Sequence, residues 1–246
     1  MKYLSWQFYL GLLLVLLSVL FNFIHYFIFR DAHYIFSHML GKLAFVPIEV
    51  LFVTLVIHRL LNSREKAAKL EKLNMVIGAF FSEVGTKILV YFSNFDPKID
   101  KIREDLIMRS EWSDSEFAAV SGRLRNHDYE VTIGKVDLED LRSFLLSRMD
   151  FLVRLLENPI LLEHESFTDL LRAVFHLTEE LSSREDLSWL PDSDYAHLAG
   201  DIKRAYVLLV SEWLDYMKHL KNNYPYLFSL AMRTNPFDQE ASPIVK

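Results

Sequence analysis

Hydrophobic positions are spread unevenly along this chain. Before residue 62 they form near-continuous runs, and after it they recur at helical spacing. Residues 4–29, LSWQFYLGLLLVLLSVLFNFIHYFIF, hold no Asp, Glu, Lys or Arg. About 20 apolar residues suffice to cross a bilayer, so this run predicts a membrane-spanning helix. A cleaved signal peptide fits less well: the n-region offers only Lys2, the apolar run is too long, and no A-x-A site follows. A second run over about 38–61 predicts a second span, although it carries Lys42, Pro47 and Glu49. The link RDAHYIF, residues 30–36, is short, which predicts an antiparallel hairpin.

From Asn62 the pattern turns amphipathic. REKAAKLEKLNMVIGAFFSEVGTKILVYFSNFD has no proline until Pro97, so one helix is expected to continue as a charged stalk and then become apolar. Leu70, Leu73, Ile77, Phe80, Phe81, Val84 and Ile88 recur at three- and four-residue steps and form its buried stripe. Gly78, Ser82 and Gly85 make a second face of small residues, which predicts a close helix–helix contact. Glu83 and Lys87 are spaced for a surface pair.

Further helices have readable starts. One runs from Lys98 to Arg109, and Ser113-x-x-Glu116 is a capping box for the next. DYEVTIGKVD, residues 128–137, alternates apolar and polar, as an extended connector or small hairpin arm does. Asp137 caps a long helix to Glu157, with Leu138, Leu141, Leu145, Met149, Leu152 and Leu156 inward. Ser166-x-x-Asp169 opens a helix to Ser182, and a long helix spans about 194–222. A short apolar helix follows Tyr224-Pro225-Tyr226, whose YPYLF patch either packs on its own bundle or docks a partner. The expected architecture is all-α: a transmembrane hairpin (1–62), a cytoplasmic helical bundle on a helical stalk (63–233) and a flexible tail (234–246).

Composition sharpens this picture. Only seven Gly and seven Pro in 246 residues argue for long helices and few turns. A net charge of −6 without clustered Lys or Arg excludes a general nucleic-acid surface. The absence of Cys removes disulfides, thiolate metal sites and thiol nucleophiles. Arg59, Arg64, Lys66, Lys69 and Lys72 follow the second span, whereas only Arg30 and Lys42 lie near the turn. The positive-inside rule then puts both termini in the cytoplasm, in a bacterial- or archaeal-type inner membrane. Trp6 and Tyr9 fall at the inner interface, Tyr26 and Tyr34 at the outer one.

Candidate chemistry is concentrated in the membrane. Gly11, Ser18, Asn22 and His25 share one helical face, as do Lys42 and Glu49. With the turn centred near His33 and Tyr34, Ser18 is level with Glu49 and His25 with Lys42. An ionised side chain at mid-bilayer costs several kcal/mol, so it faces protein or water. Ser18, Asn22, His25, Lys42 and Glu49 therefore either glue helices together or, in a homo-oligomer, line a path for ions or protons. His25, His33 and His38 match no established metal or haem spacing.

Elsewhere there is no Gly-rich phosphate loop, nucleophile elbow, H-E-x-x-H or EF-hand pattern. Asp194-x-x-His197 stands alone, Glu163, His164 and Glu165 read as solvated, and Glu179 and Glu180 with Arg184 read as a surface charge cluster. No catalytic residue, cofactor or metal site emerges. The expectation is a membrane-anchored scaffold or interaction protein, partnered by the bilayer and by copies of itself or another membrane protein, with no nucleic acid. The alternative is a homo-oligomeric ion channel or proton-coupled transporter. A membrane-bound enzyme assembled from scattered carboxylates and histidines is the third class.

Overall fold

The computed structural model describes residues 2–161 and 164–245; Glu163 and the side chain of Trp6 lie outside the described residues. Those residues are all-helical and contain no strand. The chain divides into two compact units, Met1–Lys66 and Ala67–Lys246.

The first unit holds α1 (Lys2–Phe29) and the start of α2 (Ala32–Phe80). Both are long and apolar enough to cross a membrane, with mean hydropathies of 2.4 and 2.1. The turn between them is only Arg30–Asp31, not the seven residues expected. The Arg30 N–H reaches the Tyr26 carbonyl at 2.8 Å and closes α1, with Arg30 left-handed at φ 50°. Asp31 then accepts the Tyr34 N–H at 2.9 Å and caps α2. Pro47 lies inside α2 without ending it.

In the second unit α2 leads into a π-turn, Phe81–Gly85, and then α3 (Thr86–Phe95). A π-turn admits an extra residue and rotates the helix downstream of it. Leu73, Ile77, Phe80, Phe81, Val84 and Ile88 are buried as the stripe predicts, but Leu70 is exposed. Glu83 and Lys87 do not pair. Glu83 meets Arg148 at 3.3 Å, and the Lys87 ammonium sits 4.2 Å from the Phe144 ring centre.

Next come α4 (Asp100–Leu106) and α5 (Asp114–Arg125), the latter opened by the Ser113–Glu116 capping box. Residues 128–137 form an extended connector with a 3₁₀ turn at Ile133–Lys135; Thr132 donates to the Phe95 carbonyl at 2.9 Å. Asp137 caps α6 (Leu138–Ser147), but the helix expected to reach Glu157 breaks at Arg148 and resumes as α7 (Met149–Leu156). The Ser147 hydroxyl donates to the Phe144 carbonyl at 2.6 Å, and the Arg148 N–H reaches back to Leu145 at 3.0 Å. After this break Leu155 is buried, while Met149 and Leu156 are half-buried.

The last three helices are α8 (Glu165–Ser182), α9 (Asp192–Asn223) and α10 (Pro225–Arg233). The cap of α8 is His164, whose Nδ1 accepts the Phe167 N–H at 3.3 Å, rather than Ser166. α9 is the hub, packed by α3, α5, α8 and α10. It buries Leu198, Ile202, Ala205, Tyr206, Leu209, Val210, Trp213 and Met217. Of the YPYLF patch, Phe228 is buried and Tyr226 exposed.

The start of the tail beyond Arg233 is docked at Asn235 and Phe237, whereas residues 239–241 and 243–245 are exposed. Phe237 is fully buried, edge-on to Trp213 at 5.0 Å. Asn235 donates to the Leu106 carbonyl at 2.8 Å, and Arg103 donates to the Phe237 carbonyl at 3.1 Å.

Candidate functional site

The polar residues of α1 and α2 are not brought together. Counted from the Arg30–Asp31 turn, Ser18 is level with Leu43, not Glu49, and His25 with Phe36, not Lys42. Asn22 donates to the Ser18 carbonyl of its own helix at 2.9 Å and borders a groove with Ala32, Ile35 and Met39. Lys42 and Glu49 line a separate groove, made by α2 alone, with Tyr34, Ser37, His38, Gly41 and Phe45. Neither makes an ion pair among the described residues, and Ser18, Asn22, Lys42 and Glu49 are all exposed. His25 is half-buried against Tyr34, whose ring lies between those of His25 and His38 at 5.7 and 5.8 Å. His25 and His38 thus sandwich a tyrosine instead of converging on one point.

Gly78, Ser82 and Gly85 do not form one contact face either. Gly78 lies under Tyr216 of α9, Ser82 is exposed, and Gly85 is covered by the rings of Phe80 and Phe81. The π-turn between them breaks the four-and-three spacing on which that face depended.

The body assembles a cluster whose members look unrelated in the sequence. α8 presents His176 and Glu180 one turn apart, and α9 presents His197 and Asp201 in the same way. The helices run antiparallel, so the pairs interlock. His176 Nε2 lies 3.7 Å from Glu180 Oε1 and 3.6 Å from Asp201 Oδ2. His197 Nε2 lies 3.4 Å from Glu180 Oε2 and 3.4 Å from Asp201 Oδ2.

Two arginines hold the carboxylates from outside. Arg184 donates to Glu180 Oε2 at 2.8 Å and binds Asp194 through a second arm at 2.6 Å. These bonds hold the Glu180 and Asp194 carboxyls below the usual range, the Arg184 hydrogen bond being the main cause in both. Arg204 donates to Asp201 Oδ1 at 3.0 Å. Asp201 is 3% exposed, and its Oδ2 has no hydrogen-bond partner. The histidine side chains are 45% and 50% exposed, so the cluster opens to solvent on one side.

Two family models match the chain. One, described as the C-terminal helical domain of Uncharacterized protein MJ1433, matches residues 69–233. The other, described as the N-terminal helical domain of MJ1433, matches residues 2–61. Uncharacterized protein MJ1433 of Methanocaldococcus jannaschii is 50% identical over 232 residues, which cover 94% of this chain and 93% of that protein. The chain belongs to the MJ1433 family. No solved structure matches it.

In this member of the MJ1433 family two further buried polar groups stand apart from the four-residue cluster. Asp96 and His127 face each other at 3.6 Å with side chains 0% and 6% exposed, beside the phenols of Tyr129 and Tyr206. Burial pushes both phenols up, so they stay protonated. Glu212, on α9, is buried near Ser166, His164 and Asp215, and burial pushes its carboxyl up. Among the described residues, His176, Glu180 and Asp201 bring one imidazole and two carboxylates close enough to hold a metal ion, with His197 3.4 Å from each carboxylate at their edge. The sequence signature of this cluster is a pair of short motifs, His176-x-x-x-Glu180 and His197-x-x-x-Asp201, on consecutive helices. Asp194-x-x-His197, the spacing considered from sequence, is a false lead: Asp194 turns to Arg184.

Proposed function

We propose that this protein is a membrane-anchored helical interaction module. α1 and the first half of α2 form a two-helix anchor, and the body works on the cytoplasmic side, where Arg59, Arg64, Lys66, Lys69 and Lys72 follow the second span. One observation carries the reading. Among the described residues from Phe8 to Lys66, all but His25 and Ile35 are exposed, while mean hydropathy there reaches 2.4. A core helix would be covered by its own chain; these helices are not. An apolar surface of this extent calls for lipid or protein cover.

The anchor also carries the reason to self-associate. Lys42 and Glu49 share a face of α2 but sit seven residues apart, about 10.5 Å along the axis. They are therefore too far apart to neutralise each other directly. Each costs about 2.5–3.5 kcal/mol at the centre of a lone spanning helix. A second copy, or another membrane protein, set against the Lys42–Glu49 groove offsets that cost. The same groove supports the second reading, in which several copies enclose a conducting path.

Membrane fractionation and single-cysteine labelling test the anchor, helped by a chain without native cysteine. The full-length protein should stay in the membrane pellet after alkaline carbonate. Asp31→Cys should label from outside intact cells, and Ser242→Cys only after lysis. Recovery of the full chain in the detergent-free soluble fraction refutes the anchor. Glu49→Gln should lower the oligomeric mass in detergent. An unchanged oligomer with lost ion flux in liposomes favours conduction instead.

A further inference from the structure

We infer that His176, Glu180 and Asp201, with His197 at the rim, form a binding site for a first-row transition-metal dication, with zinc as the reference ion. The four histidine–carboxylate separations, 3.4, 3.4, 3.6 and 3.7 Å, exceed the 2.7–3.2 Å of ordinary N–H···O hydrogen bonds. A tetrahedral ion bound at about 2.0–2.2 Å separates its ligand atoms by roughly 3.4 Å. His176, Glu180 and Asp201 each offer one ligand atom within 4.8 Å of the others, as one face of a coordination tetrahedron requires, and leave its fourth position to water or to a shift of His197.

Asp201 Oδ2 is buried and unpartnered, 3.6 and 3.4 Å from the Nε2 atoms of His176 and His197. A carboxylate oxygen in that position is costly unless something positive meets it. Arg204 satisfies the other oxygen, Oδ1, and leaves Oδ2 directed at the histidines. Arg204 and Arg184 therefore act as outer supports that fix the carboxylates. With Asp194 included, three carboxylates stand against two guanidiniums, so a dication meets no net repulsion.

An imidazole with two carboxylates, and a second imidazole adjacent, suits zinc, cobalt, nickel or iron, whereas calcium and magnesium prefer all-oxygen sets. An ion here would tie α8 to α9 across the loop between them.

The test uses the full-length protein in detergent, purified without a polyhistidine tag and stripped with chelator. Zinc added and passed through gel filtration should remain at one ion per chain and raise the thermal midpoint. Cobalt should give the intense visible bands of a four-coordinate site. His176→Gln changes a half-exposed position and should leave near-UV circular dichroism unchanged while abolishing stoichiometric retention. Arg204→Gln should bind about 10–100-fold more weakly, as loss of an outer-shell support does. No stoichiometric zinc in the wild-type chain, or equal retention by a folded His176→Gln variant, overturns the site and leaves plain histidine–carboxylate contacts.

Discussion

Gly85 and Gly78 offer a paired test of the π-turn and of the packing around it. Both are helical, so replacement by Ala gains about 1 kcal/mol of backbone propensity at each. Their surroundings differ. A Cβ on Gly85 would stand 2.6 Å from Cδ1 of Phe81 and 2.9 Å from Cε1 of Phe80. Neither ring has room to yield. Phe80 is fully buried and packed edge-on to Phe167 at 5.3 Å, while Phe81, 2% exposed, stacks on Tyr216 at 5.1 Å. Overpacking of this kind costs about 1–3 kcal/mol, which meets or exceeds the propensity gain. At Gly78 the nearest atom is the Tyr216 hydroxyl oxygen at 3.2 Å, the far end of a half-buried side chain. A small rotation relieves it.

Gly85→Ala should therefore be destabilised by about 1 kcal/mol, and Gly78→Ala should range from neutral to about 1 kcal/mol more stable. The contrast between them cancels the propensity term and isolates the steric one. Urea unfolding of the detergent-solubilised chain, monitored by tryptophan fluorescence and near-UV circular dichroism, gives both midpoints. A Gly85→Ala protein as stable as Gly78→Ala would refute the claim that the two phenylalanine rings are immovable.

The buried acid and the docked tail give further checks. Burial raises the Glu212 carboxyl above its ordinary value of 4.5. The folded chain then keeps a proton that the unfolded chain releases, so stability falls as pH climbs from that value through the raised one. Glu212→Gln should flatten this decline and be the more stable protein at neutral pH; thermal midpoints between acid and neutral buffer read it, and an unchanged slope counts against it. Phe237→Ala removes a fully buried ring from beside Trp213 and should cost about 3–5 kcal/mol. A loss below about 1 kcal/mol, read from the urea midpoint, would mean that the tail is not seated against Trp213.

Local signals were legible where they were self-contained. The Ser113–Glu116 box and the Asp137 cap need only residues three apart, and both form as expected. The stripe from Leu73 to Ile88 follows from periodicity. What failed was register. A two-residue turn at Arg30–Asp31 hides inside an apolar run, because Ala32, Tyr34 and Ile35 look like loop only if Asp31 is not taken as a cap. Moving the turn by a few residues then unmatches every polar pair predicted across it. The π-turn did the same to Gly78, Ser82 and Gly85, and the break at Arg148 brought Leu155 inward. The seat of Asn235 and Phe237 was illegible for a different reason: its anchoring partners, Leu106, Arg103 and Trp213, lie far away in the chain.

The α8–α9 cluster was illegible for a sharper reason. Each half is an ordinary one-turn pair, histidine with a carboxylate four residues on, and such pairs commonly sit solvated on helix surfaces. What makes them a unit is the sliding of two antiparallel helices, which sets His176 opposite Asp201 and Glu180 opposite His197. α8 packs on α9, and each helix buries an apolar face, Ala173 and Leu177 on one and Leu198 and Ile202 on the other, so the registry follows from the core rather than from the polar residues themselves. A slip of one turn would move α9 by about 5.4 Å and dissolve the cluster while preserving both motifs. Chemistry of this kind is therefore a property of the core beneath it. The resulting prediction is geometric: a ligand set assembled by packing should tighten α8 against α9 when an ion binds, and slow hydrogen exchange should appear on both helices together.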